Sequence, residues 1–394
     1  MRGTIVTSNK PDALAGTRVS EGSLGSASLR LHGLDALRCV AALMVMAFHY
    51  TTRYDQKFGH LTAPLFYAAR GYLGVNLFFM ISGFVIFMTL ERTSEPKDFL
   101  VSRFSRLYPA YWVAAILTLA TEALVPELGK NISWAQALGN VLMFQNLVGI
   151  PSIDGVYWTL EVELLFYWAM LLIWLVGGFA SPWRWIGTWL ALSTVAGLAK
   201  VTGLPFPQIA SRMLILPYFP YFALGCILYI HFVRNSFRWP VEGVLGAFAL
   251  LAIAINDSLI FAACTLGFLL LFYLVVRRYA MTRVVLFLAS IGIFSYPIYL
   301  VHETIGWTAI HWLEARGCNA NLAIAGAAVT ALTVAYLLHI AVEKPVTRAI
   351  RGHFKAARAS KARPFDVASR KKWTAGVLGV GILVLIVNRL APHL

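Results

Sequence analysis

The sequence predicts an all-α, polytopic transmembrane bundle of about ten core spans with one additional C-terminal span. The 394 residues are 59% hydrophobic, and the mean hydropathy is +0.70. Charged side chains make up 13% of the chain, whereas soluble domains carry about 25%. Long apolar runs recur along the chain without the period-two alternation of a barrel. Because a segment in lipid must satisfy its own backbone hydrogen bonds, these runs predict helices.

Apolar runs of membrane-spanning length define the individual spans. We predict them at residues 34–51, 72–90, 107–125, 156–177, 185–201, 213–232, 240–256, 259–276, 284–302, 322–342 and 374–391. The segment 134–150 is also apolar, but it is short and carries Gln136, Asn140, Gln145 and Asn146. We therefore predict an interfacial or re-entrant segment there.

The placement of basic residues predicts the orientation. With a cytoplasmic N-terminus, the inner loops hold most of the lysines and arginines, above all between residues 344 and 372. This asymmetry follows the positive-inside rule, and a full span at 134–150 would invert it. The net charge of +15 therefore indicates topology and contact with inner-leaflet lipids, and no nucleic-acid partner is expected.

The same patterns divide the chain into four parts. Residues 1–32 are polar and rich in Ser and Gly, which predicts a disordered cytoplasmic tail. Residues 33–350 form the membrane domain, 351–372 a basic cytoplasmic loop and 373–394 the additional span. The four cysteines lack metal or redox spacing, so we expect packing roles for them and no metal site.

Two polar residues on the first span are the first candidates for function. Arg38 and His49 are eleven residues apart, about three helical turns, so they share one face about 16 Å apart along the axis. They could be side chains that snorkel to opposite interfaces. Because ionisable residues within spans are costly, they are also candidates for a site.

The predicted topology places further polar residues at the outer ends of spans. Glu161, Glu163 and His302 lie at about the depth of His49 under this topology. An imidazole beside a carboxylate has the chemistry of a general base with an orienting acid. Glu161 and Glu163 are two residues apart and turn about 200° on a helix, so only one can face the interior.

Basic residues gather at the inner ends. Arg103 and Arg106 begin the third span, and Arg348 follows the tenth. Such arginines can bind phosphate groups, or they can act only as topology anchors.

Together these segments resemble the acyltransferase-3 family of bacterial integral-membrane acyltransferases over residues 30–350. The resemblance rests on six segments: Arg38-x10-His49, Gly74 to Phe84, Arg103-x-x-Arg106 with the following Leu-Tyr-Pro, Trp158 to Glu163, Ser295 to His302, and Glu343 to Arg348. Asn76 stands where many members have an acid, and Thr159 replaces the usual serine. The family's glutamate maps to Glu163.

The resemblance implies transfer of an acyl group, usually acetyl, from cytoplasmic acyl-CoA to a hydroxyl of an outer glycan or glycolipid, by a multi-pass protein of the bacterial inner membrane. In this hypothesis Arg103 and Arg106, with Arg38 or Arg348, bind the CoA phosphates. His49 acts as the base or as a transient acyl carrier, oriented by Glu163 with His302. Ser82 is interpreted as a small packing residue between helices.

Two other classes of protein fit part of the pattern. A transporter or flippase of glycolipid intermediates would also carry intramembrane charges around an aqueous cavity. Against it, the sequence shows neither repeat symmetry nor paired broken helices. A scaffold for a partner enzyme would need neither His49 nor the arginines. Transfer of label from acetyl-CoA separates these classes.

Overall fold

The computed structural model describes residues 21–125, 131–234, 239–276, 282–359 and 367–390. Within these residues helix is the only regular secondary structure, and the longest connection without it is 59–70. The α-helices are α1 Glu21–Ala47, α2 Tyr54–Phe58, α3 Gly74–Glu91, α4 Pro96–Leu124, α5 Trp134–Gly139, α6 Trp158–Leu175, α7 Pro182–Thr202, α8 Gln208–Met213, α9 Phe219–Tyr229, α10 Trp239–Asn256, α11 Leu259–Val276, α12 Arg283–Gly292, α13 Ser295–Glu314, α14 Ala320–Leu338, α15 Lys344–Ala359 and α16 Val367–Leu390.

Several of these helices are long and apolar enough to cross a bilayer. In the described residues there are six, at His32–Phe58, Gly71–Glu91, Pro96–Leu124, Trp158–Leu175, Leu259–Val276 and Ala320–Arg358. Two shorter apolar helices lie at Phe219–Arg234 and Pro240–Asn256. The all-helical membrane class is thus confirmed, whereas the count of eleven spans stays a prediction.

The ninth span differs from its predicted form. A single helix over 284–302 was expected, but α12 and α13 meet at a bend of 68°. A new helix begins at Ser295, with Pro297 in its first turn, where the missing proline N–H leaves no helical bond unmade. Since α13 continues to Glu314, His302 lies within a helix rather than at its end.

Residues 134–150 form short helical turns, too short to cross a bilayer, as the sequence predicts. The six-residue α5 is followed by single 3-10 turns at Asn140–Leu142 and Gln145–Val148. Three side chains of α4 donate hydrogen bonds to three consecutive carbonyl groups of this segment: Tyr111 Oη to Asn140 (2.6 Å), Trp112 Nε1 to Val141 (3.0 Å) and Tyr108 Oη to Leu142 (3.1 Å). These bonds satisfy backbone groups that a continuous helix would have paired internally.

The ends of the chain contain more helix than predicted. Of the expected disordered tail, residues 1–20 lie outside the described residues, but α1 already begins at Glu21. The expected loop 351–372 is helical on both sides of residues 360–366, which are also outside the described part. One reason is that α15 binds α4: Arg358 Nη1 contacts Asp98 at 2.6 Å, and Arg351 Nη2 donates to the Ser102 carbonyl at 3.0 Å.

The helices that carry the polar residues pack around one another. α1 packs along α12, α3 along α9, and α13 against α14, α4 and α1. At the α1–α12 crossing a Cβ on Gly292 would overlap the carbonyl oxygen of Asp35. Only glycine permits this close approach, which brings the first half of α13 beside the end of α1.

Candidate active site

His49 lies where α1 widens into a π-helical turn, Phe48–Arg53. Its Nδ1 is 2.9 Å from the Val45 carbonyl oxygen, which can only accept a hydrogen bond. The proton therefore belongs to Nδ1, and Nε2 is the basic nitrogen. Trp307 Nε1 donates to the His49 carbonyl at 2.9 Å, so α13 fixes the backbone of this turn. Such turns are frequent at functional sites.

The structure brings His302 to His49, as the sequence predicted from depth. His302 Nε2 is 3.3 Å from His49 Nδ1, and the ring centroids are 5.0 Å apart in an edge-on arrangement. His302 Nδ1 donates to the Tyr299 carbonyl at 2.9 Å, which leaves its Nε2 as an acceptor facing His49. We call this pair the histidine end of the bundle.

Glu303 is the carboxylate at the histidine end, and the sequence analysis did not identify it. Its Oε2 is 3.6 Å from His49 Nε2, and its side chain is 6% exposed. A Cβ on Gly155 would collide with the Glu303 carboxylate, so the 153–156 loop closes tightly over it. The signal was present, because Glu303 is an ionisable residue in an apolar run beside His302.

A buried aspartate anchors this loop to α13. Asp154 is fully buried, and its Oδ2 accepts a 2.6 Å hydrogen bond from Thr304 Oγ1. Its Oδ1 accepts from the Val156 backbone N–H at 3.2 Å. The contacts of Asp154 thus hold the loop against the helix that carries His302 and Glu303.

Glu163 does not contact His49 in the structure, which corrects the expected pairing. Its Oε1 accepts 2.6 Å hydrogen bonds from Ser82 Oγ and from Tyr167 Oη. Residues 159, 163 and 167 share one face of α6, and depth along an axis does not determine that face. Glu161, on the other side, accepts from the backbone N–H groups of Asn146 and Leu147.

Glu163 instead lines a narrow cavity of about 70 Å³ between the helices, which we call the tunnel. Its walls run along α3 from Val75 to Ile86, eleven residues or about 16 Å. One end holds Arg38, Arg103 and Arg106 and is called the arginine end. The other walls are Phe78, Phe79, Ile81, Ser82, Val85, Leu107, Thr159, Leu160, Glu163, Tyr167, Ser295, Tyr296 and Tyr299.

Tyr299 separates the tunnel from the histidine end. The Tyr299 ring lies in the tunnel wall, 5.6 Å from the ring of His302, and its carbonyl accepts the His302 proton. Phe78 packs edge-on against Tyr299 at 5.6 Å. A molecule extended through the tunnel would thus end one side chain away from the two imidazoles.

A second, more open cavity of about 440 Å³ adjoins the arginine end. Arg38 and Arg106 line both cavities, and Arg348 lines the second. The four predicted arginines are thus brought together. Arg351 and Lys344, which the sequence analysis left as loop cations, join the second cavity; their spacing from Arg348 on one helix could have indicated this.

The charges at the arginine end are only partly compensated. Arg38 Nη1 pairs with Asp35 Oδ1 at 2.9 Å. The Arg103 guanidinium lies 5.9 Å from the rings of Phe99 and Tyr167, and its buried Nε has no hydrogen-bond partner within the described part of the chain. Such a cluster has unused donors for an anionic group. In the same part of the chain, no three His, Cys, Asp or Glu residues are arranged to hold a metal ion.

Comparison with known proteins finds acyltransferases among the similar chains. The chain is 26% identical to the acyltransferase MdmB of Streptomyces mycarofaciens over 366 residues, 81% of this chain and 92% of that protein. It is 28% identical over 160 residues to the peptidoglycan O-acetyltransferase OatA of Listeria monocytogenes, covering 36% of this chain and 23% of that protein. It is 32% identical over 106 residues to the exopolysaccharide production protein ExoZ of Rhizobium meliloti, covering 25% and 32%. No solved structure matches the chain significantly.

The profile of an acyltransferase domain matches residues 31–340. The match covers α1 through α14 and so includes the histidine end, the tunnel and three of the four predicted arginines. The resemblance seen in the sequence motifs is thereby confirmed, and the chain belongs to the acyltransferase-3 family of integral-membrane acyltransferases.

Proposed function

We propose that this protein transfers an acyl group, acetyl in the simplest case, from cytoplasmic acyl-CoA to a hydroxyl of a glycan or glycolipid at the opposite face of a bacterial inner membrane. The observation that carries the proposal is the tunnel, which has a cluster of arginines at one end and Tyr299, the ring next to His302, at the other. The catalytic unit is the membrane domain 33–350. The basic segment 351–372 contacts inner-leaflet lipids, and the last span, 373–394, flanks the unit.

The arginine end is the donor site in this proposal. Arg38, Arg103, Arg106 and Arg348 surround the two adjoining cavities and would bind the phosphates of CoA, because guanidinium groups pair with phosphate in a bidentate manner. The pantetheine arm would lie in the tunnel, whose length of about 16 Å is comparable with that arm when extended. Ser82, Glu163 and Tyr167 would offer it polar contacts.

His49 is the base. Its Nε2 takes the proton of the acceptor hydroxyl while the hydroxyl oxygen attacks the thioester carbonyl carbon. The carbon–oxygen bond forms, the carbon–sulfur bond breaks, and the departing thiolate of CoA takes the proton back from the imidazolium. Glu303, 3.6 Å from Nε2, stabilises the transient imidazolium, while His302 and Val45 hold the Nδ1 proton in place.

The acceptor is the part of the proposal that the relatives support most directly. OatA is named for O-acetylation of peptidoglycan and ExoZ for exopolysaccharide production. Both names point to carbohydrate, although the matched segments are short compared with those proteins. We infer a carbohydrate acceptor for this chain as well.

The test is transfer of label across a sealed vesicle. The protein is reconstituted, [14C]acetyl-CoA is supplied on one side and an oligosaccharide acceptor is enclosed on the other. We expect labelled oligosaccharide with the wild type and none with His49→Ala, although that variant still inserts. His353→Ala, which removes an exposed histidine of α15, should retain transfer. The proposal would be overturned if His49→Ala transferred label at the wild-type rate. It would also be overturned if label appeared only on acceptor present on the same side as acetyl-CoA.

A further inference from the structure

A third cavity, partly open to the outside, lies on the opposite face of α6 from the tunnel and has a volume of about 540 Å³. We call it the groove. Thr159 and Glu163 face the tunnel, whereas Trp158, Glu161 and Leu165 line the groove. The proposed function leaves the groove without a role.

The groove lies beside the N-terminal end of α6. It begins at the first turn of α6, where Thr159 Oγ1 is 2.7 Å from Tyr299 Oη. Tyr157, the residue before α6, donates from its Oη to the Leu300 carbonyl at 3.3 Å. The first turn of α6 is therefore bound to the stretch of α13 just before His302.

Two aromatic rings form one wall of the groove. Trp158 and Tyr218 have ring centroids 5.4 Å apart, and Trp158 is 37% exposed. The Tyr218 phenol can donate a hydrogen bond to a ligand. An aromatic pair at a membrane surface often serves only as an interfacial anchor, but these rings face a cavity with polar walls.

The polar wall is α8 with the neighbouring segment. Gln208, Ser211 and Arg212 lie on α8, and Asn146 faces them from the turns after α5. The Arg212 side chain is exposed, and the structure gives its guanidinium no hydrogen bond or ion pair with another described residue. A cation with its donors unused is thus placed beside two aromatic faces, and its charge acts on the Glu161 carboxylate of the same groove.

The walls are held in position by buried contacts. Ile215, at the floor, has a left-handed backbone with φ of +47°, which is rare for a β-branched residue. Such strain costs about 1–3 kcal/mol and persists only where surrounding contacts hold it. Here Trp189 Nε1 donates to the Leu214 carbonyl at 2.7 Å, and Ser193 Oγ donates to the Leu216 carbonyl at 2.6 Å. The groove is therefore preformed.

We propose that the groove binds an acidic sugar unit of the glycan acceptor, with the pyranose ring against Trp158 and Tyr218 and its carboxylate on Arg212. This inference rests on the proposed function and specifies its acceptor. A pyranose has an apolar C–H face and a rim of hydroxyl groups, which match an aromatic wall facing amide and hydroxyl groups. The volume exceeds that of one monosaccharide, so neighbouring units of an oligosaccharide fit as well.

The experiment measures binding of two probes to the purified full-length protein by calorimetry. The acidic probe is the hexasaccharide of galacturonic acid, and the neutral probe is maltohexaose. We expect the wild type to bind the acidic probe at least tenfold more tightly, which is about 1.4 kcal/mol. Arg212→Ala should remove this preference. Arg316→Ala, which removes an arginine stacked on Trp312 outside the groove, should keep it.

The aromatic wall is tested separately. Trp158→Ala should lower the affinity for both probes tenfold or more. Trp158→Phe should keep most of the wild-type affinity, because a phenyl ring still offers a face to the sugar. Equal affinities for the two probes, absence of binding, or an unchanged preference in Arg212→Ala would overturn the proposal. Displacement of the acidic probe by phosphatidylglycerol micelles would overturn it in favour of a lipid headgroup site.

Failure of this inference is distinguishable from failure of the proposed function. Hydrolysis of acetyl-CoA in the absence of glycan, in which water replaces the acceptor hydroxyl and CoA is released, reports only the tunnel and the histidine end. If wild type and Arg212→Ala both release CoA but neither distinguishes the probes, the groove assignment fails and the acyl chemistry stands. If the wild type prefers the acidic probe but never releases CoA or transfers acetyl, the acyl chemistry fails.

Discussion

Replacement of Glu303 by glutamine tests the charge placed beside His49. The carboxylate is 3.6 Å from His49 Nε2 and nearly buried. At that distance, two opposite charges in a medium of effective dielectric constant near 20 attract each other by about 4 to 5 kcal/mol. Glutamine keeps the shape and one carbonyl oxygen, so part of this stabilisation remains. We expect Glu303→Gln to lower kcat by about 10²- to 10³-fold.

The assay is steady-state acetyl transfer, which separates kcat from the KM for acyl-CoA. Because Glu303 lies beyond Tyr299 and does not line the tunnel, the KM for acyl-CoA should change less than threefold. The matched control is Glu314→Gln, which removes a second carboxylate of α13 that contacts His60 Nδ1 at 2.8 Å. This control should lower the melting temperature with little change in kcat.

A kcat in Glu303→Gln within threefold of the wild type, in a protein that loses all activity in His49→Ala, would refute the reasoning. His49 would then act without electrostatic help from this carboxylate. An equal loss in Glu314→Gln and Glu303→Gln would also refute it, because the effect would then follow from general packing of α13.

Three further substitutions test other parts of the structure. Arg103→Ala should weaken binding of acyl-CoA about 10- to 100-fold, measured by calorimetry, because a charge-assisted phosphate contact contributes about 1.5–3 kcal/mol. Glu163→Gln should impair turnover more than Glu161→Gln, since Glu163 lines the tunnel, while Glu161→Gln should mainly lower the melting temperature. Gly292→Ala should destabilise the protein by about 1–3 kcal/mol, measured by thermal unfolding, whereas Gly246→Ala, with no neighbour within 4 Å, should not.

The arginine prediction has a control at the same end of the bundle. Arg92, just after α3, is exposed and lines neither cavity at the arginine end. Arg92→Ala should leave acyl-CoA affinity within twofold of the wild type. Equal losses of acyl-CoA affinity in Arg103→Ala and Arg92→Ala would mean that both arginines act as topology anchors. A greater loss of turnover in Glu161→Gln than in Glu163→Gln would contradict the assignment of the tunnel face of α6.

The sequence predicted well how deep the polar groups lie in the membrane, but it predicted poorly which side of each helix faces which neighbour. The sequence predicts His49 and His302 at the same depth, because both come late in spans that run outward. Two histidines at one depth come into contact when the helices that carry them are neighbours. The partner of Glu163 depends on which face of α6 is packed toward α1. Apolar composition carries almost no information on this, because α6 is apolar around most of its circumference.

The sequence did not predict the break between α12 and α13, for a related reason. Hydropathy is continuous across residues 284–302, so a window of span length sees one apolar helix. Pro297 alone does not require a break, since proline is also tolerated inside membrane helices. The bend lets α13 continue past His302, and this placed Glu303 inside a helix beside His49 rather than in a loop.

The three aromatic donors of α4 also constrain the order in which the protein can assemble. Tyr108, Tyr111 and Trp112 are synthesised before residues 140–142, whose carbonyl groups they bind. Residues 140–142 therefore leave the ribosome after the aromatic donors, so their carbonyl groups can be bound without waiting for a later helix to be synthesised. In a fold with the reverse order, these carbonyl groups would lack their partners until the donors had been synthesised.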